Sequence, residues 1–242
     1  MNLQSPPIAL GANAFTSTAA QRHIPGIRGV DRFGRQYRYV KAGASDLVVG
    51  NVIQSPAVVT NHLTRTPVAA AIGATSITAA LGATAAAADL YKYGFVTVDT
   101  TPGEGYSYAI EQHDAVLSSG NITVNLSKDT PVQVALTTSS RVSFLQNQYR
   151  GVIQAPVTTL TGTPVGVAVY PITANQFGWI GTRGLFCVLV GGTPIVGSAI
   201  VTPGTSAGMA VVDGAAAATI VIGRMAQAGS AGLLAMAMIN FE

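Results

Sequence analysis

Three histidines, one cysteine and one tryptophan are the residues with the widest chemical range in this 242-residue chain. His23, His62 and His113 are scattered, with no H-x-x-x-H spacing and no neighbouring cysteine, so the pattern that holds zinc is missing. Acid and imidazole come together once, at Glu111-Gln112-His113-Asp114. On a strand, Glu111 and His113 share a face, which opens a metal or acid–base role. A strand end running into a polar loop explains the same four residues equally well. Cys187 lies in the apolar run LFCVLV and is expected to be a buried, inert thiol. No nucleophile elbow, phosphate loop or dinucleotide fingerprint occurs, and the glycines fall at turn positions instead. Asn121-Ile-Thr and Asn125-Leu-Ser match the glycosylation sequon, but read better as outward polar positions of one strand. Trp179 follows Gly178, two residues from Phe177, and is expected to anchor a core or a subunit interface; the alternative is a platform for a sugar ring. The residues predict no catalytic, cofactor-binding or metal site.

The elements that would position these residues read as short strands. QYRYV at 36–40 sends Tyr37 and Tyr39 one way and Arg38 the other. LVVGNVIQ at 47–54 reads as a strand pair broken at Gly50-Asn51. Residues 76–81 alternate weakly, and Ala propensity allows one helical turn at 85–89. GFVTV at 94–98 and YSYAI at 106–110 bracket TPGEG and predict a hairpin. NITVNL at 121–126 alternates cleanly, and VQVAL at 132–136 is expected to follow it as another strand. From residue 162 onward, Gly and Pro punctuate apolar pieces: VGVAVY, FGWI, LFCVLV, IVGSAIV, MAVV, ATIVIG and LLAMAMINF. Pro164, Pro171, Pro194 and Pro203 suit strands joined by turns and do not suit long helices. The last 50 residues hold only Asp213, Arg224 and Glu242 as charges, so these strands must be buried on both faces, in a closed barrel or at an oligomer contact. The fold class expected is mainly β: a barrel or sandwich body of short antiparallel strands behind an extended N-terminal arm. The expected divisions are 1–41 (basic arm and first strand), 42–160 (β-rich domain) and 161–242 (barrel-like subdomain).

Composition narrows the function classes. Hydrophobic residues make up 48% and charged residues only 10%, against roughly 25% charged in an average soluble domain. A surface this poor in charge is either rich in small polar residues or covered by partners, and an assembly subunit satisfies both. The most apolar stretch, 68–90, is Ala-rich and interrupted by Thr, Ser and Gly, which argues against a membrane span. Residues 1–11 lack a charged leader and carry a Pro pair, so no secretory signal is expected and synthesis is expected in a cytosol. The positive charge is concentrated. Residues 21–41 hold Arg22, Arg28, Arg32, Arg35, Arg38 and Lys41 against Asp31, a net of +5, while the rest carries seven bases and nine acids. Docking on an acidic protein surface is the functional reading, nucleic acid the weaker one, and a solvated arm and first strand the plain one.

Several segments resemble a known group in the same order. They are YRYVKAG at 37–43, the Gly-Glu-Gly-Tyr hairpin with its following His at 103–113, VQVALTTSS at 132–140, GVIQAP at 151–156 and TPVGV…FGWIGTRG at 163–184. The chain is similar here to tailed-bacteriophage capsid decoration (cement) proteins, over most of residues 30–240. Arg183 stands where the pattern tends to carry a second Trp. The resemblance implies a non-enzymatic structural virion protein without cofactor, made in the host cytoplasm and bound outside the phage head. Its implied partners are the major capsid protein and itself, as a homotrimer, with no specific nucleic acid and no membrane. Arg22, Arg28, Arg32, Arg35, Arg38, Lys41, Trp179 and Arg183 are the expected partner contacts. A folded body is expected to survive removal of residues 1–41. A tail, fibre or head-spike component holding a receptor glycan is the alternative.

Overall fold

The computed structural model describes residues 6–157, 159–202, 204–213 and 220–242. Strand makes up 42% of it and helix 2%, so the mainly-β expectation holds. The chain begins with β1 (Ile8–Ala9), β2 (Arg28–Val30), β3 (Gln36–Ala42) and β4 (Val52–Gln54). It then builds β5 (Ser76–Ala80), β6 (Phe95–Thr100), β7 (Ser107–Gln112), β8 (Asn121–Leu126) and β9 (Arg141–Leu145). It finishes with β10 (Arg150–Gln154), β11 (Pro164–Ala168), β12 (Phe177–Leu189), β13 (Ala199–Thr202), β14 (Val211–Val212), β15 (Ile220–Met225) and β16 (Leu234–Asn240).

These strands fall into two units, Met1–Ala57 with Gln148–Glu242, and Val58–Asn147. The boundaries differ from those expected at 41 and 160, because pairing is non-local. Neighbouring β4 and β10 are antiparallel, and the second unit is inserted between them in the chain. Residues 42–57 and 148–160 therefore belong with the first and last segments.

In the first unit, β3, β10, β4, β11 and β12 form a ring, since β12 pairs back onto β3. Val40, Ala42, Ile53, Val152, Val165, Ala168 and Ile180 form one buried cluster on the inward side of that ring. The alternate residues Tyr37, Tyr39, Val52, Val167 and Trp179 belong to a second cluster, on the outward side. Strands β13, β15 and β16 cover part of that side with Ile200, Ile222, Met225, Ala237 and Ile239. The N-terminal segment covers more, through Ile8, Leu10, Phe15 and Ile27. Both faces of the ring strands are dry, which is why both alternating sets are apolar.

Strand β12 joins the two layers. Residues 177–183 pair with β3 and 183–189 pair with β16, with a register shift between Gly181 and Arg183. Gly184 sits there at φ +122°, a conformation that would strain any side chain. FGWI and LFCVLV, expected as separate pieces, are thus one bent strand.

The described N-terminal residues lie on the body, with a 3-10 turn at Ala12–Ala14, and do not form a free extended arm. Thr18 exchanges both backbone hydrogen bonds with Phe177, at 3.0 and 2.8 Å. Residues 36–41 are most of β3, a stave of the ring, so the division at 41 cuts through the body, and removing residues 1–41 is now expected to disrupt it.

The second unit runs in the order β5-β8-β7-β6-β9. Its two edges meet through residues 65–68. Arg65 exchanges backbone hydrogen bonds with Val142 at 2.7 and 2.8 Å, and the Val68 N–H donates to Thr78 at 2.8 Å. Ile77, Val96, Val98, Tyr108, Ile110, Val124 and Phe144 fill its core. Asn121, Thr123 and Asn125 are exposed along β8, as their alternation predicts. Two details differ. Residues 132–136 form no strand: buried Val132 and Leu136 bond to residues 70–74, with a single bridge from Leu136 to Ala70 and a bend at 133–134 between them. Residues 85–89 make turns, not helix, held by a bridge from Ala86 to Val116.

Candidate interaction surfaces

Among the described residues, the histidines of the second unit are structural. The His62 Nε2–H donates to the Thr84 carbonyl at 2.8 Å, and its Nδ1 accepts from the Tyr91 hydroxyl. The Tyr91 N–H donates to His113 Nε2 at 3.0 Å, and the His113 Nδ1–H donates to the Asp114 carbonyl at 2.8 Å. All four ring nitrogens are committed to protein partners, and both imidazoles are buried. Burial pushes the Tyr91 phenol well above its ordinary range, which keeps it a donor. Glu111 and His113 do not share a face: the register shifts between Ile110 and Gln112, leaving Glu111 outside and His113 inside. No group of three or more His, Cys, Asp or Glu among the described residues is arranged to hold a metal ion.

Cys187 corrects a second expectation, because its side chain is exposed. Phe186, Val188 and Val190 take the inward positions of that run, and Leu185 and Cys187 take the outward ones. Both sets are apolar, so hydrophobicity gave no way to choose between the two parities.

That outward set continues across the sheet. On β12 and β16, Leu185 stands opposite Met238, Cys187 opposite Met236, and Leu189 opposite Leu234. Met238 is 55% exposed and Leu234 44%. The turn before β3 adds Phe33, 72% exposed. Asp31 shapes that turn, its Oδ1 accepting the N–H groups of Phe33 and Arg35 at 2.9 and 3.0 Å. A shallow cavity of about 500 Å³ runs between Phe33, Arg35, Leu185, Met236 and Met238. Arg183 and Asn240 line a second hollow beside Met238. The result is an apolar ladder, where an antiparallel sheet normally turns a polar face to water.

The seven expected basic contacts fall into two groups, with Lys41 and Arg22 apart from them. Arg35 and Arg183 flank the ladder, and Arg32 lies 4.7 Å over the Phe33 ring on the same turn. Arg35 is paired with Asp31 at 2.7 Å and lies over the Phe186 ring at 5.2 Å. Burial alone would raise the Asp31 carboxyl; the hydrogen bonds from Arg35 and Phe33 outweigh it and hold the group below its ordinary range. Arg28 and Arg38 stand opposite one another on β2 and β3. Their like charges are spread over Gln36, which accepts from Arg28 at 3.0 Å, and Glu242, which pairs with Arg38 at 2.7 Å. Burial would raise the Glu242 carboxyl, but Arg38 more than reverses this. Lys41 sits over the Phe177 ring at 5.8 Å, with its ammonium pushed down by burial and then by Arg150. Arg22 lies apart from both groups, beside the Trp179 cavity.

Trp179 is only 4% exposed and packs against Tyr39 and His23, so it is not an open platform for a sugar ring. The eight expected contact residues thus do not form one patch. Phe33, Leu185, Met236 and Met238, which single-residue chemistry did not mark, lie between the arginines. For Leu185, Met236 and Met238 the signal was the second apolar parity in LFCVLV and LLAMAMINF. No helix among the described residues is long and apolar enough to cross a membrane.

Comparison with known families, curated proteins and solved structures finds no match.

Proposed function

We propose that this chain is a non-enzymatic structural protein that docks on the outside of a phage head and stabilises the major capsid protein lattice. It does so as a homotrimer, on the virion's outer surface, with no cofactor, specific nucleic acid or membrane involved. The observation that carries the reading is the apolar ladder of β12 and β16, flanked by Arg35 and Arg183. Fully burying one such Leu or Met side chain stabilises by about 1.5–3 kcal/mol, so a few repeated by symmetry hold a shell through avidity. The arginine flanks favour a partner surface with an acidic rim. The resemblance of segments between residues 30 and 240 to decoration proteins prompts the same reading.

The test uses phage heads that lack the protein. Mixed with the purified chain and imaged at low resolution, they are expected to carry added density across the head lattice. Density on the tail, or none on the head, overturns the proposal. Met238→Asp with Leu185→Asp is expected to abolish that density while the unfolding midpoint changes little; undiminished occupancy by the double variant would remove this face from the docking site.

A further inference from the structure

We propose that the cavity under the N-terminal segment is a binding site for a small carboxylate with a short aliphatic body. It does not depend on the docking face, and it uses Arg22, His23, Tyr39 and Trp179, which the ladder leaves aside. The cavity holds about 240 Å³. At about 30 Å³ per water in the liquid, that is room for roughly eight groups of that size, enough for a branched short-chain acid and too little for a nucleotide or an oligosaccharide.

The walls are built rather than accidental. The backbone at Trp179 is tied down by its N–H, which donates to the Tyr170 hydroxyl at 2.7 Å. Gly29 lies so close behind that a Cβ there would come within 2.7 Å of the Trp179 ring and 2.8 Å of Leu10. His23 stands edge-on to Tyr39 at 5.2 Å and tilted against Trp179 at 5.6 Å. Leu10 and Ala14 from the N-terminal segment close the apolar side.

Hydrogen-bond accounting supplies the chemistry. The Tyr39 hydroxyl, in a residue only 2% exposed, accepts the Arg22 N–H at 3.0 Å. Among the described residues, that hydroxyl donates to no acceptor. Neither ring nitrogen of His23 is hydrogen-bonded to a described residue, nor is the Arg22 guanidinium. No acidic side chain lines the cavity among the described residues. The Tyr39 hydroxyl and the His23 imidazole line one small space with the exposed Arg22 at its rim, and a carboxylate offers two oxygens with about four lone-pair sites to such a donor set. The acid could be free in solution or be the C-terminal carboxylate of a peptide.

Trp179 is the only tryptophan, so its fluorescence reports this cavity alone. The intact chain is titrated with isovalerate, with neutral isovaleramide, and with acetyl-Ala-Leu bearing a free or an amidated C-terminus. A saturable fluorescence change is expected for isovalerate, at least tenfold weaker for the amide. Tyr39→Phe, which keeps the ring, and Arg22→Gln are each expected to weaken isovalerate at least fivefold, with the circular dichroism spectrum retained. Tighter binding of the free-acid peptide than of isovalerate assigns the site to a chain terminus; the reverse assigns it to a free acid. Equal response to acid and amide, or no saturable response to any carboxylate, overturns the proposal.

Discussion

Cys187 faces Met236 across the β12–β16 pair, sulfur to sulfur at 3.3 Å, on the outer side of a sheet whose inner side is dry. The contact places a thiol in the middle of an uncovered apolar ladder. The isolated native protein is therefore expected to react with a thiol reagent stoichiometrically, at a rate close to that of the unfolded chain. Protection by several orders of magnitude would mean that the face is covered.

The His62–Tyr91–His113 chain predicts a stability effect without any activity effect. Tyr91→Phe removes the hydroxyl that donates to His62 Nδ1 and leaves a buried acceptor unsatisfied. The expected cost is about 1–3 kcal/mol, read as a lower urea midpoint.

Tyrosine burial sets the alkaline limit. Burial favours the neutral phenols of Tyr37, Tyr91 and Tyr149, and pushes Tyr170 up to about 12. In the unfolded chain these groups lose protons as pH passes 10.0, the ordinary value for a tyrosine. The folded state then binds more protons than the unfolded one, so stability falls as pH rises above 10. Urea midpoints measured from pH 9 to pH 12 are expected to decline steadily, and a flat profile would contradict the burial argument.

The acid side has the opposite sign. Asp31 and Glu242 are held below their ordinary values of 3.8 and 4.5 by Arg35 and Arg38. Their contribution is present above those values and is lost as pH falls through the lowered ones. Glu242→Gln is expected to cost at most about 1 kcal/mol near neutral pH, with the difference from wild type vanishing toward pH 2.

Removal of residues 1–41 tests the architecture. The ring loses all of β3 except Ala42, and Tyr37, Tyr39 and Val40 leave two cores at once. The truncated chain is expected to lose the near-ultraviolet signal of its first unit. A cooperative thermal transition with retained Trp179 fluorescence would show that β3 is dispensable.

Much of the strand content was legible locally. Clean alternation marked β8 at its observed bounds, the TPGEG turn marked the β6–β7 hairpin, and QYRYV marked β3 with both tyrosines on one side. Failures came where local pattern and long-range pairing disagree. VQVAL alternates well but finds no partner strand, since Val132 and Leu136 are anchored by a few single bonds from residues 70–74. The contact residues were legible as charges, but their grouping was not, because Arg35 and Arg183 are far apart in sequence and meet only through the Met238 side of the sheet.

The sequence by itself determined that this protein is β-rich, sparsely charged, basic at one end, and apolar on both faces of its C-terminal strands, because alternation and composition are properties of neighbouring residues. The tertiary structure alone decided which parity of those strands is dry. Trp179 was sealed under the N-terminal segment and Cys187 turned outward by the path of β12, which leaves β3 for β16 at Gly184. No local preference distinguishes two apolar parities; only the layer that packs against one of them does.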